Sequence, residues 1–144
     1  MSRAQATRGG FQPYIASRLV RGDRVPQAVQ GLVIRDYAAR NKLDATRLPA
    51  AEYSMPGCTM MLETILADLA SIDGIICYSL FMLPTKAARR RDIYARVLAA
   101  GCSLHGALEG LAVRTEADVD RIEDVIRLVQ LTSQPSALSQ LGAV

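Results

Sequence analysis

The chain has 144 residues, half of them hydrophobic, with 17 Lys and Arg against 14 Asp and Glu and a net charge of +3. That length and composition suit one domain with its own core and exclude a disordered chain. The longest apolar run, residues 74–83, is interrupted by Ser79 and falls well short of the roughly 20 residues of a membrane helix.

Residues 1–11 are polar and are expected to form a flexible leader ahead of a domain at 12–132, with a flexible tail at 133–144. The leader holds no apolar signal core, so export is not expected. A first strand is predicted at 14–17, followed by a basic, Gly-containing loop at 18–24. Pro26 suits a first helical turn, where its missing N–H costs nothing. Val29, Leu32, Val33 and Tyr37 recur at helical spacing and are predicted as the buried face of that helix, which stops near Asn41.

A weak second strand is predicted within 45–53, and Ser54-Met55-Pro56-Gly57 is turn chemistry. Met61, Leu62, Ile65, Leu66 and Leu69 mark a second helix. Gly74-Ile75-Ile76-Cys77-Tyr78 is continuously apolar, as expected of a parallel strand covered on both faces. Pro84-Thr85 opens a third helix with Ile93, Val97 and Leu98 inward and Lys86, Arg89, Arg90 and Arg91 outward; Gly101 ends it. A fourth strand is predicted at 102–108. Thr115-Glu116-Ala117-Asp118 resembles a capping box and starts a last helix, with Val119, Ile122, Ile126 and Val129 facing the core or a partner. Alternating strands and helices predict an α/β domain with a mostly parallel four- or five-stranded sheet flanked by helices.

Cys58, Cys77 and Cys102 are odd in number and lack metal-type spacing, which predicts a reducing, cytoplasmic setting. One histidine and scattered acids predict no metal site, and no cofactor motif is present.

Ligands of parallel sheets bind outside the carboxyl ends of the strands. Those ends deliver Ser17-Arg18, Glu52-Tyr53-Ser54, Tyr78-Ser79 and Glu109-Gly110 to one rim. Ser17 beside Arg18 and Arg24 could hold a phosphate or carboxylate, since guanidinium forks match such anions; the alternative is a solvated basic loop. Glu52 and Glu109 form a candidate acid/base pair, or two ordinary strand-end carboxylates. His105, the sole imidazole, shares strand parity with Glu109 and is either catalytic or a hydrogen-bonded structural residue. The basic run 86–91 reads as a solvated helix face that could also flank an anion. The predicted catalytic set is therefore Ser17, Glu52, His105 and Glu109, with Arg18, Arg24, Tyr53, Tyr78 and Ser79 binding substrate.

Two resemblances sharpen this. Tyr14-x-x-Ser17-Arg18, Gln27 and Gln30, Asp73-Gly74-Ile75-Ile76 and Leu108-Glu109-Gly110 resemble the catalytic domain of serine recombinases over most of 13–128. The resemblance implies a resolvase-like fold in which Ser17 corresponds to the serine that attacks a DNA phosphate. That family's Asp-Arg-x-x-Arg segment falls at 80–85, which reads Leu-Phe-Met-Leu-Pro-Thr without its charges, so recombination is not the expected activity.

Arg24-Val25-Pro26-Gln27, Val33-Ile34-Arg35-Asp36-Tyr37, Ala51-Glu52-Tyr53, Met60-Met61-Leu62-Glu63, the segment 78–84, and Leu104-His105 through Glu109-Gly110-Leu111 resemble more closely the small proteins of sporadic bacterial carbohydrate-biosynthesis clusters. This implies a setting of sugar or glycosylated-metabolite synthesis. The expected function is a cofactor-independent isomerase, epimerase or lyase acting on a phosphorylated or nucleotide-linked sugar. The alternative is a non-catalytic resolvase-like binding or assembly module. A small anionic sugar-like substrate is the expected partner, with a second copy of the chain docking through the last helix. Nucleic acid and membrane are not expected.

Overall fold

The computed structural model describes residues 9–132. Most of the expected leader, and all of the expected tail, lie outside the described residues. Five strands, β1 (Phe11–Ala16), β2 (Ala50–Glu52), β3 (Gly74–Cys77), β4 (Ser103–Gly106) and β5 (Leu111–Val113), form one sheet in the order β2-β1-β3-β4-β5. The first four strands run parallel and β5 is antiparallel to β4. The helices are α1 (Gln27–Arg40), α2 (Met60–Leu66), α3 (Ala87–Ala99) and α4 (Glu116–Thr132), with short 3-10 turns at Leu69–Ser71 and Leu80–Met82. α1 packs on β1, α2 on β2, α3 on β4 and α4 on β5, while α3 touches both α2 and α4.

β3 is the centre of the core. Ile75 and Ile76 point to opposite faces and both are fully buried, as a strand covered by helices on both sides requires. Burying each such side chain contributes about 1.5–3 kcal/mol. Gly74 has no room for a side chain: a Cβ would overlap the Ser103 carbonyl oxygen and come within 2.7 Å of the Phe11 ring.

Three expectations need correction. β1 begins at Phe11, three residues before the predicted start, and the Gly9 N–H already bonds the Ser71 carbonyl at 2.8 Å. The fourth strand stops at Gly106, where the chain turns and returns as β5, a fifth strand that the sequence allows for but does not locate; Glu109 lies in that turn, so strand parity no longer relates it to His105. The inward side of α1 is Gln30, Gly31, Ile34, Tyr37 and Ala38, whereas Val29 and Leu32 are exposed. Gln30 is buried because its amide continues the β1 ladder. It accepts from the Ala16 N–H (2.7 Å) and donates to the carbonyls of Ala16 (3.0 Å) and Val25 (2.9 Å). An apolar side chain there would orphan those backbone groups.

α4 starts as expected: the Asp118 carboxylate accepts from the N–H groups of Thr115 (3.0 Å) and Arg114 (2.9 Å). Its inward stripe is Val119, Ile122 and Ile126, together with Glu123, which is buried against Arg90 of α3. The basic run 86–91 is therefore not wholly outward. Arg90 forks onto Glu123 with two 2.8 Å bonds, and the Tyr94 hydroxyl donates to the same carboxylate at 2.7 Å. Burial favours a neutral Glu123, but those bonds outweigh it and hold the carboxyl below its ordinary range.

Candidate functional site

With β1 at the point where strand order reverses, the crevice between the carboxyl ends of β1 and β3 is where an open sheet of this order takes ligands. A cleft of about 270 Å³ opens there. Its cations are Arg18 from the end of β1, Lys86 ahead of α3 and Arg89 in the first turn of α3. Phe81, Leu83 and Pro84 supply an apolar wall, Thr59 and Thr85 line the same space, and Thr59 Oγ1 accepts from Arg89 Nη2 at 3.3 Å. Among the described residues that line it, none is acidic. The Arg21 guanidinium sits 5.2 Å from the centroid of the Phe81 ring.

The β2–α2 connection forms one side of the cleft and is fixed by two of the predicted residues. Arg18 Nη1 donates to the carbonyls of Cys58 (2.9 Å), Tyr53 (3.3 Å) and Met55 (3.5 Å). Glu52 gathers the donors. Its Oε1 accepts from the Tyr14 hydroxyl (2.7 Å) and the Leu62 N–H (3.0 Å). Its Oε2 accepts from the N–H groups of Tyr53 (3.0 Å) and Met61 (3.1 Å) and from the Cys58 thiol (3.5 Å). Thr59, at the start of α2, makes no side-chain cap, so Glu52 caps that helix from the neighbouring strand. Burial alone would raise the Glu52 pKa, but the bonds from Tyr14, Met61, Leu62 and Tyr53 outweigh it and hold the group ionised. Burial first, and the Glu52 contact second, push the Tyr14 hydroxyl far up.

The β3–α3 connection, which supplies the apolar wall, is fastened by a second carboxylate outside the cleft lining. Ser79 Oγ donates to Glu109 Oε2 at 2.7 Å and accepts from the Phe81 N–H at 3.1 Å, while the Leu80 N–H donates to Glu109 Oε1 at 2.9 Å. Glu109 thus fastens the β3–α3 connection. Burial first, and Glu109 second, raise the Cys77 thiol and the Tyr78 hydroxyl.

His105 is fully buried, with Nδ1 2.7 Å from the Tyr37 hydroxyl and Nε2 2.8 Å from Ser103 Oγ, and with its ring edge-on to Phe11. Desolvation, with a smaller push from Arg114, lowers its pKa to about 4. Both ring nitrogens are occupied inside the core. Ser17 Oγ is half-buried and accepts from Gln27 Nε2 at 2.9 Å.

Of the nine residues predicted for the site, only Arg18 lines the cleft. Arg24 is exposed, Tyr53 is half exposed, and Tyr78 and Ser79 are buried. Glu52 and Glu109 share no hydrogen-bond partner. The other eight lining residues, Lys86, Arg89 and Phe81 among them, are missing from the predicted set. Lys86 and Arg89 belong to the basic run 86–91, expected from the sequence to be able to flank an anion, whereas Phe81 carries no such signal. Among the described residues no cluster of three or more His, Cys, Asp or Glu could hold a metal ion, and no helix is long and apolar enough to cross a membrane.

The architecture is that of the resolvase fold. The chain is similar to a resolvase family site-specific recombinase from Streptococcus pneumoniae, with a TM-score of 0.57 at 11% identity over 91% of this chain and 98% of that one. It is also similar to the N-terminal catalytic domain of TP901-1 integrase, with a TM-score of 0.53 at 14% identity over 82% of this chain and 98% of that one. No family model and no curated protein sequence matches the chain.

Proposed function

We propose that this chain binds a small phosphorylated metabolite of the sugar class in the cleft between β1 and β3. The observation that carries the reading is the meeting of Arg18, Lys86 and Arg89 at a switch-point cleft that no acidic side chain lines. Guanidinium and ammonium groups bind phosphate through charge-assisted hydrogen bonds, and the apolar wall offers a surface to the ligand's carbon skeleton. A cleft of about 270 Å³ favours a sugar phosphate over a nucleotide-linked sugar. The sugar class within this proposal rests on the sequence resemblance to carbohydrate-cluster proteins alone.

Binding without catalysis is the better supported form. Of the expected proton carriers, Glu52 and His105 are buried with their polar atoms engaged in structural bonds, and Glu109 fastens the β3–α3 connection through both of its oxygens. A catalytic form, as isomerase, epimerase or lyase, would rest on Ser17 and Glu109, the two members of the expected catalytic set that keep partial exposure. Self-association through α4 belongs to the same proposal, since Leu128 and Leu131 remain more than half exposed.

The test is titration calorimetry with inorganic phosphate, a hexose phosphate and a nucleotide sugar. The hexose phosphate should bind most tightly, and Arg89→Gln should weaken it about tenfold, the loss of one charged hydrogen bond at about 1.5 kcal/mol. Equal affinity in Arg89→Gln would refute the placement. Tight, steeply salt-dependent retention on duplex DNA, with no hexose phosphate bound, would reassign the cleft to a polyanion.

A further inference from the structure

The Arg90 guanidinium serves two sites at once. Nε and Nη2 bond the Glu123 carboxylate of α4, while Nη1 donates to the carbonyls of Pro84 (3.0 Å) and Thr85 (2.7 Å). Pro84 and Thr85 are part of the cleft wall, and Lys86 and Arg89, two of its three cations, follow directly in the chain. The side chains of Arg90 and Glu123 are 4% and 7% exposed, so solvent competes little for these bonds. A surface ion pair would not fix a loop this way. The Tyr94 hydroxyl donates to the same buried carboxylate at 2.7 Å, so Glu123 is held in place from a second side.

From this we infer that Arg90 is a positioning residue of the anion cleft: held by Glu123, it fixes the backbone of 84–86 so that Lys86 and Arg89 face the ligand. The inference rests on the anion reading of the cleft. It makes α4, which does not line the cleft, a determinant of its shape. The chemistry requires arginine. A lysine at position 90 could pair with Glu123, but a single ammonium cannot span both carboxylate oxygens and two loop carbonyls.

The experiment compares wild type, Arg90→Lys, and a core variant such as Ile126→Val or Ile126→Ala that loses the same stability. Two quantities are read: affinity for inorganic phosphate, and the NMR order parameters of the Thr85 and Lys86 amides. In Arg90→Lys the order parameters should fall from about 0.85 toward about 0.6, and phosphate affinity should drop at least tenfold. The matched core variant should change neither. Rigid amides in Arg90→Lys would overturn the clamp, whether or not wild type binds phosphate. Loosened amides with unchanged affinity would overturn its positioning role. Absence of phosphate binding by wild type, with amides that loosen as expected, would instead overturn the anion reading and leave the clamp standing.

Discussion

Glu52→Gln tests whether this carboxylate is structural. The carboxylate collects five donors with two oxygens. The glutamine amide keeps one oxygen and turns an NH₂ toward the rest. In the better orientation, with nitrogen in place of Oε1, the Tyr14 hydroxyl can rotate to accept, but the buried Leu62 N–H is left without an acceptor. An orphaned donor costs about 1–3 kcal/mol, and the surviving bonds lose their charge assistance, for a total near 3 kcal/mol. In a domain of this size that lowers Tm by roughly 10 °C. Urea unfolding at pH 7 measures the loss. The sign with pH follows from the depressed pKa: the native state holds the ionised form, so the contribution is complete above the unfolded value of 4.5 and disappears as pH falls through the lower folded value. The gap between wild type and Glu52→Gln should therefore narrow in acid. A variant within 1 kcal/mol of wild type, or a gap that widens in acid, would refute the reasoning and return Glu52 to the list of free proton carriers.

Tyr14→Phe removes one of those donors and should cost about 1.5–3 kcal/mol, the worth of a hydrogen bond to a charged group, measured in the same urea series. His105 stays neutral when folded, with its pKa lowered from 6.5 to about 4. Protonation thus favours unfolding, and stability should fall between those values by up to about 1.4 kcal/mol per pH unit; His105→Asn should flatten that slope in unfolding curves at pH 7, 6 and 5. Gly74→Ala should cost about 3 kcal/mol or more, because the added methyl meets the Ser103 carbonyl, a backbone atom that cannot turn aside. Thermal melting would show it, and a Tm near wild type would contradict the packing described for β1, β3 and β4.

Hydrophobic patterning made the sheet legible. Consecutive apolar residues at 74–77 read correctly as a doubly covered parallel strand, and Thr115 with Asp118 read correctly as a helix start. Patterning failed where a buried polar group substitutes for backbone. Gln30 lies inside α1 while Val29 and Leu32 lie outside, because an amide was needed to close the end of β1. Arg90 was lost in a basic run for the same reason, since its burial depends on a glutamate 33 residues away. The strand-end rule pointed to the rim where the cleft opens, but it treated every polar residue there as available. Glu52 and Glu109 show why that step fails: a loop must first satisfy its own backbone, and the residues at a strand end are the nearest donors and acceptors for doing so. Two of the three cations that line the cleft, Lys86 and Arg89, lie instead at the entry to α3.

β2 and β5, the outermost strands, contribute three residues each, Ala50–Glu52 and Leu111–Val113. So short a margin gives an incoming extended peptide little to pair with, and it protects the sheet from recruiting foreign chains. Among the described residues, the exposed α4 side chains Leu128 and Leu131 offer another chain more apolar surface than either edge of the sheet offers backbone to pair with.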